Sequence, residues 1–522
     1  MQTTGNTPGH ETVSEEEAAA IRSLSSSRTV AKSAMWNLVG RAGPLLVAIF
    51  STPILVRHLG PSRWGVFTIA LSLVGIFSIF DLGIGRSLTR AISELIAENR
   101  RTEAASLARS GIAALTVLGT VGGLLMASLA HIWVTRGLHM PDSLHDEVLH
   151  ALYVLCLSAP VVILSSALWG VIAAFQRFRS ANLVNVPIMA MYYIGPIIVL
   201  YFYNSLVAVL AVLVACRVVM ALCYWRICVH ALPELKQARA EFAQLKPVLR
   251  MGGWMTASNL TWPILTYFDR FIIASVLSAA ATGYYSTPFD LVQRFTILPV
   301  AIMNTAYPAM AASYRSDPDN TCALFRRSLV SVTGALFPAC LLCVALSHWL
   351  LHLWLGAGFA LHATVVLRWL GVGILLTSVD SVVAGLLDGI GKASVNAKFS
   401  FLEIAVYLPL LAFLVRKTGI EGAAVAWTLR CLVDLTVRLW VAQRLYAPVR
   451  PAALSTLPLL LGVTGTLFAT ALVEGTRWVP VTSGVGTLLV GILLWFAFTQ
   501  GERARLISMA GRFIPALQRS SA

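Results

Sequence analysis

Residues Asn259–Leu277 read NLTWPILTYFDRFIIASVL. An aspartate and an arginine, Asp269 and Arg270, stand side by side in a run otherwise apolar enough to cross a membrane. Ionised groups at bilayer depth are costly, so they must be paired, hydrated in a cavity, or used. Being consecutive, they point about 100° apart on a helix and cannot both face the same neighbour.

The whole chain supports membrane burial. It is 57% hydrophobic and 12% charged, unlike an ordinary soluble domain. Apolar runs of about twenty residues recur from Met35 to the end, each long enough for the hydrocarbon core. The alternation expected of a transmembrane barrel is absent. The expected fold is therefore an all-α polytopic membrane protein. Spans are expected near 34–57, 64–85, 108–134, 148–174, 183–203, 206–228, 252–277, 283–308, 328–354, 363–387, 399–416, 420–443, 453–474 and 481–500, about fourteen in all.

A polar head, 1–33, containing SEEEAAAIRSLSSSRTVAKS, reads as a retained cytoplasmic segment, because the first apolar run begins too late for a signal peptide. Cys340 and Cys343 form a Cys-x-x-Cys inside an apolar run with no redox-domain pattern around it, which points to packing.

The net charge of +15 is a topology signal. Most Lys and Arg fall on the termini and the even-numbered turns, among them Arg86, Arg90, Arg100, Arg101, Arg177, Arg179, Lys236, Lys246, Arg326, Arg327, Lys392 and Lys398. Few fall on the opposite loops, which places both termini in the cytoplasm. Attraction to anionic membrane lipid accompanies this bias. No basic domain stands outside the membrane, so nucleic acid is not an expected partner. The outer loops are too short for a catalytic domain, and no P-loop is present. An enzyme is not expected.

The chain echoes itself. A shift of 218 positions aligns Trp36 with Trp254, Leu59 with Leu277 and Gly65 with Gly283. A shift of 215 aligns Gly170 with Gly385 and Arg177 with Lys392, and a shift of 213 aligns Arg217 with Arg430. These offsets divide the chain into an N-terminal six-helix lobe (34–228), a cytoplasmic linker (229–251), a C-terminal six-helix lobe (252–444), two further helices (453–500) and a basic cytoplasmic tail (501–522). An even number of spans separates the copies, so their pseudo-twofold runs along the membrane normal, with a cavity between the lobes.

The intramembrane arginines are Arg41, Arg217, Arg270, Arg294, Arg368, Arg430 and Arg438; the deep acids are Asp269, Asp290, Asp380 and Asp434. Asp81, Asp388 and Glu403 fall nearer the cytoplasmic ends. Helical i, i+4 spacing would pair Asp290 with Arg294 and Asp434 with Arg430. Span eight returns beside span seven, so Arg270 either binds Asp290, leaving Asp269 to a polar neighbour, or faces a cavity as an anion ligand. Arg41, Arg217 and Arg368 have no acid nearby in their own spans. The surplus of arginine favours an anionic cargo, whose oxygens a guanidinium fork binds bidentately.

Two stretches carry a family resemblance. ILVRHLGPSRWGVFTIALSLVGIFSIFDLGIGRSLTR, Ile54–Arg90, resembles the first-to-second-span signature of bacterial Wzx-type polysaccharide (O-antigen) flippases, in the multidrug/oligosaccharidyl-lipid/polysaccharide exporter superfamily. YFDRFIIASVLSAAATGYYS and GVIAAFQRFRSANLVN are similar to that family's span-seven and span-four-to-five patterns. The resemblance covers roughly residues 30–450, without the polar head and the tail. It implies a carrier in the bacterial inner membrane that moves polyprenyl-pyrophosphate-linked oligosaccharide to the periplasmic leaflet. It also implies work alongside a polysaccharide polymerase and export proteins. No cofactor is implied beyond coupling to H+ or Na+, for which Asp269, Asp290, Asp380 and Asp434 are the candidates. Arg41, Arg217, Arg270, Arg294, Arg368 and Arg430 are the candidate headgroup ligands. Alternatives are a peptidoglycan-precursor flippase and a cation-coupled multidrug antiporter, whose cavity should be richer in acid than this one.

Overall fold

A computed structural model describes residues 27–77, 84–241, 245–473, 478–497 and 503. Every helix and turn below belongs to these. The side chain of Arg41, and all of Asp81, lie outside the described residues.

The described regular elements are helical. The long helices are α1 (Ser27–Phe77), α2 (Ile84–Ala97), α3 (Arg101–Ile132), α4 (His145–Cys156), α5 (Ala159–Ala174), α6 (Phe178–Phe202), α7 (Leu206–Ala231), α8 (Leu245–Val276) and α9 (Ala279–Gln293). They continue as α10 (Ile297–Ser313), α11 (Pro318–Ala345), α12 (Ser347–Leu355), α13 (Ala357–Gly389), α14 (Ala393–Leu445), α15 (Arg450–Leu472) and α16 (Val479–Ala497). Eleven segments of the described chain are long and apolar enough to cross a membrane. Two of the long helices, α1 and α14, are each a pair of helices meeting at a kink, at Gly60 (φ 73°) and Gly419 (φ 69°). Those positive φ values suit glycine, which lacks the Cβ that makes this region unfavourable.

The two halves meet where the second part of α1 crosses α9. Gly65 and Gly283 bring the backbones together: a Cβ on Gly65 would sit 1.7 Å from the Ala279 carbonyl oxygen, and one on Gly283 would lie 3.3 Å from the Gly65 Cα. One turn along, Ser286 Oγ lies 2.9 Å from Thr68 Oγ1. Both pairs are separated by the repeat offset of 218 positions. Positions related by a twofold can touch only close to its axis. At the crossing of α1 and α9, positions paired by the 218-residue offset therefore pack on each other, as they would beside a twofold axis.

Further contacts close the same end. Trp64 donates to Thr287 Oγ1 at 2.8 Å. The segment after α3 joins the α8–α9 turn by two backbone bonds, His139 N–H to Ala274 O (3.3 Å) and Ala279 N–H to His139 O (3.0 Å). Trp354 Nε1 donates to Ile49 O at 2.7 Å. Within the N-terminal half, Glu147 gathers three elements. It binds Arg63 at 2.8 Å and accepts the Leu206 N–H at 2.7 Å. That carboxylate satisfies one of the free N–H groups at the start of α7.

Candidate functional site

Two clusters of ionisable groups and three separate arginines make up the candidate site. The first cluster lies on the seam between the halves. Arg270, 3% exposed, projects from α8 and donates to Asp290 on α9 at 2.5 Å and to Ser72 on α1 at 2.8 Å. Ser72 and Asp290 are again 218 positions apart, so one guanidinium clasps equivalent positions of both copies. The rings of Phe289 and Tyr267 lie within 5.8 Å of it. Asp269 turns the other way. One of its oxygens accepts the Arg270 backbone N–H at 2.7 Å, the other the Tyr285 hydroxyl at 2.8 Å. The consecutive residues thus face different partners, as helical geometry requires.

The expected Asp290–Arg294 pair is replaced by Asp290–Arg270. The reason is local: α9 ends at Gln293 and the chain tightens to a 3-10 turn over Arg294–Thr296, which takes Arg294 out of the α-helical i, i+4 register. Arg294 is exposed.

The second cluster lies wholly in the C-terminal half. Arg430 binds Glu403, and Arg438 binds Asp380 and, at 3.6 Å, Glu403. Arg430 was expected to pair along its own helix with Asp434. It reaches instead across the Gly419 kink to Glu403, while Asp434 stays buried beside it beyond ion-pairing distance. Glu403 lies about 15 Å along α14 from its start at Ala393. The cluster sets three buried carboxylates against two guanidiniums, with Asp380 Oδ1, Arg430 Nε and Arg438 Nε lacking a hydrogen-bond partner among the described residues.

Arg368 stands apart from both clusters, bound to Ser347 Oγ (3.1 Å) and the Val473 carbonyl (3.2 Å), which tie α12, α13 and the end of α15 together. Arg217 lies on α7 with its guanidinium 5.0 Å from the Tyr192 ring. The sequence reading did not assign Ser72, Tyr285 and Tyr192 to the site. Hydroxyls in apolar runs carry no signal until their neighbours are known. Glu403 and Arg438 were visible as intramembrane charges, but only the α14 kink places them at the centre of a cluster.

An all-α bundle of long apolar helices, with charges buried where α1 meets α8 and α9 and where α13 meets α14, has the architecture of a membrane transporter. Solved structures share that fold, among them these two. One is the lipid II flippase MurJ in an inward closed conformation (TM-score 0.65, 12% identity, covering 88% of this chain and 98% of that one). The other is an inward-facing multidrug resistance MATE family transporter of the MOP superfamily (TM-score 0.64, 14% identity, 79% and 99%). Residues 30–313, more than half of the chain, match the family described as Polysaccharide biosynthesis protein, and the chain belongs to that family. It is also 27% identical over 422 residues to a Shigella flexneri protein named as an O-antigen transporter, covering 80% of this chain and 98% of that protein.

Proposed function

We propose that this protein is a flippase that carries polyprenyl-pyrophosphate-linked oligosaccharide repeat units from the cytoplasmic to the periplasmic leaflet of a bacterial inner membrane, for surface polysaccharide assembly. The likeness along nearly the full length of an O-antigen transporter carries the reading. In this proposal the chain crosses the membrane fourteen times with both termini cytoplasmic, and the lobes rock against each other across the seam to open alternate sides. It performs transport rather than catalysis, and passes its product to a polymerase and export proteins.

The geometry suggests how cargo and lobe motion couple. Arg270 holds Ser72 of one half and Asp290 of the other. A pyrophosphate competes with Asp290 for that guanidinium, and a ligand shifts a conformational equilibrium only through such differential contacts. Arg41, Arg217, Arg294, Arg368 and Arg430 are the further proposed headgroup ligands. Asp269, Asp290, Asp380 and Asp434 are the proposed groups for H+ or Na+ coupling.

The test is mass spectrometry of the lipid-linked oligosaccharide pool after depletion in the native host, with complementation by the parent or by Arg270→Ala. Depletion should accumulate a complete polyprenyl-bound repeat unit, the parent should clear it, and the variant should clear it more than tenfold more slowly. An unchanged pool together with new sensitivity to cationic drugs would replace this reading with a multidrug antiporter. Accumulation of peptidoglycan precursor would replace it with a flippase for that lipid.

A further inference from the structure

The N-terminal half repeats one motif of the C-terminal half with its acids missing. Arg430 lies 5.2 Å over the Tyr407 ring, and Arg217 lies 5.0 Å over the Tyr192 ring. The arginines are 213 positions apart and the tyrosines 215, the offsets of the internal repeat. One helical turn before Tyr407 stands Glu403, which binds Arg430. One turn before Tyr192 stands Ile188, buried and apolar. One turn after Arg430 stands Asp434, and one turn after Arg217 stands Ala221. Among the described residues no carboxylate lies within ion-pairing distance of Arg217, and no hydrogen bond from its guanidinium is found.

Space and unused polarity accompany the missing charge. A cavity of about 40 Å³ opens beside Arg217, lined also by Tyr192, Ser158, Leu155, Leu71 and Leu213. The Tyr192 hydroxyl, on a residue 8% exposed, has no hydrogen-bond partner among the described residues. The Tyr407 hydroxyl is likewise unpartnered, so that feature belongs to the repeat; the counter-ion is what differs. The cavity also touches the break between α4 and α5, where Ser158 precedes Ala159 and Pro160. Irregular backbone at membrane depth is tolerated where it lines a cavity or is covered by protein. A water needs about 10–15 Å³ measured in this way, so the space holds one compact ion with little water and no sugar.

We propose that Arg217 and Tyr192 bind one compact anion inside the N-terminal half, a halide or a single phosphoryl group, which plays for Arg217 the counter-ion part that Glu403 plays for Arg430. An exchangeable counter-ion stands here where the other half has a built-in one. The proposal requires no particular cargo, and its test reads binding in the resting protein, so its failure and the failure of the transport reading are separable.

The test is thermal unfolding of the full-length protein in detergent at constant sodium, with chloride or inorganic phosphate replacing gluconate, which is too large for the cavity. The parent should show a saturable rise in Tm of about 2–5 °C. Arg217→Gln should lose that rise. Ile188→Glu, which copies the C-terminal arrangement, should lose it while supplying the missing counter-ion; Ala221→Asp copies Asp434 and serves if Ile188→Glu does not fold. If phosphatidic acid in mixed micelles stabilises the parent but not Arg217→Gln, and free anions do neither, the site stands with a lipid phosphate as its source. A parent Tm that is the same in every anion and lipid, or an equal rise in Arg217→Gln, overturns the proposal.

Discussion

The seam cluster around Arg270 and the C-terminal cluster around Glu403 use the same residue types, yet they join different things. Arg270 connects helices of opposite halves through Ser72 and Asp290, and the Asp290 side chain is still 43% exposed. Glu403 connects α14 to itself across its kink and, through Arg438, to Asp380 on α13, with its own side chain 4% exposed. Charge shared between two bodies governs how they sit relative to each other. Charge shared within one body governs whether that body holds its shape. The seam is thus where motion between the halves should register first, and the C-terminal cluster, beside the headgroup and coupling roles proposed for its members, is where stability should.

Breaking the C-terminal cluster should have the largest effect. Glu403→Ala leaves two buried guanidiniums with one ion-paired carboxylate between them, and should cost about 3–5 kcal/mol, the range for removing one member of a buried ion pair. Thermal or denaturant unfolding in detergent measures it. A loss below about 1 kcal/mol would mean that the cluster is hydrated and that the comparison fails. Tyr285→Phe should come next. It strips one of two donors from the buried Asp269 and should cost about 1.5–3 kcal/mol, the range for a hydrogen bond to a charged group, on the same assay.

Ser72→Ala should sharpen the contrast. It removes a contact between the halves and leaves each half intact. Global unfolding should change little, while hydrogen–deuterium exchange over 135–145 and 274–290 should rise roughly tenfold, the factor for about 1.4 kcal/mol taken from closure alone. Equal losses in unfolding and in seam protection would show that the seam is an ordinary part of the core. Trp64→Phe, which deletes the bond to Thr287, should give the smallest change, about 1 kcal/mol, again in seam exchange.

Much of this was legible in the residues. Apolar runs located the helices because each helix alone must span the hydrocarbon. The repeat offset paired Gly65 with Gly283, but only the folded chain shows that these two residues pack on each other where α1 crosses α9. Two consecutive antiparallel spans put Arg270 near Asp290 and left open whether it binds that carboxylate or faces a cavity; in the structure it binds Asp290. The pairings argued from i, i+4 spacing did not follow, because that spacing says only which residues share a helix face. It does not say whether the helix continues, as it fails to do at Arg294, nor whether a stronger partner waits on another segment, as Glu403 does for Arg430. Neutral partners such as Ser72 and Tyr285 become visible only once the chain is folded around the charge they hold.

The closest approach in the seam has one more consequence. With the Ala279 carbonyl 1.7 Å from where its Cβ would be, Gly65 leaves no room for even a methyl group. Gly65→Ala is therefore a wedge, the least addition of matter that keeps this end of the protein ajar. Such a variant would offer a way to capture the opposite-facing state for structure determination without ligand, antibody or cross-linker.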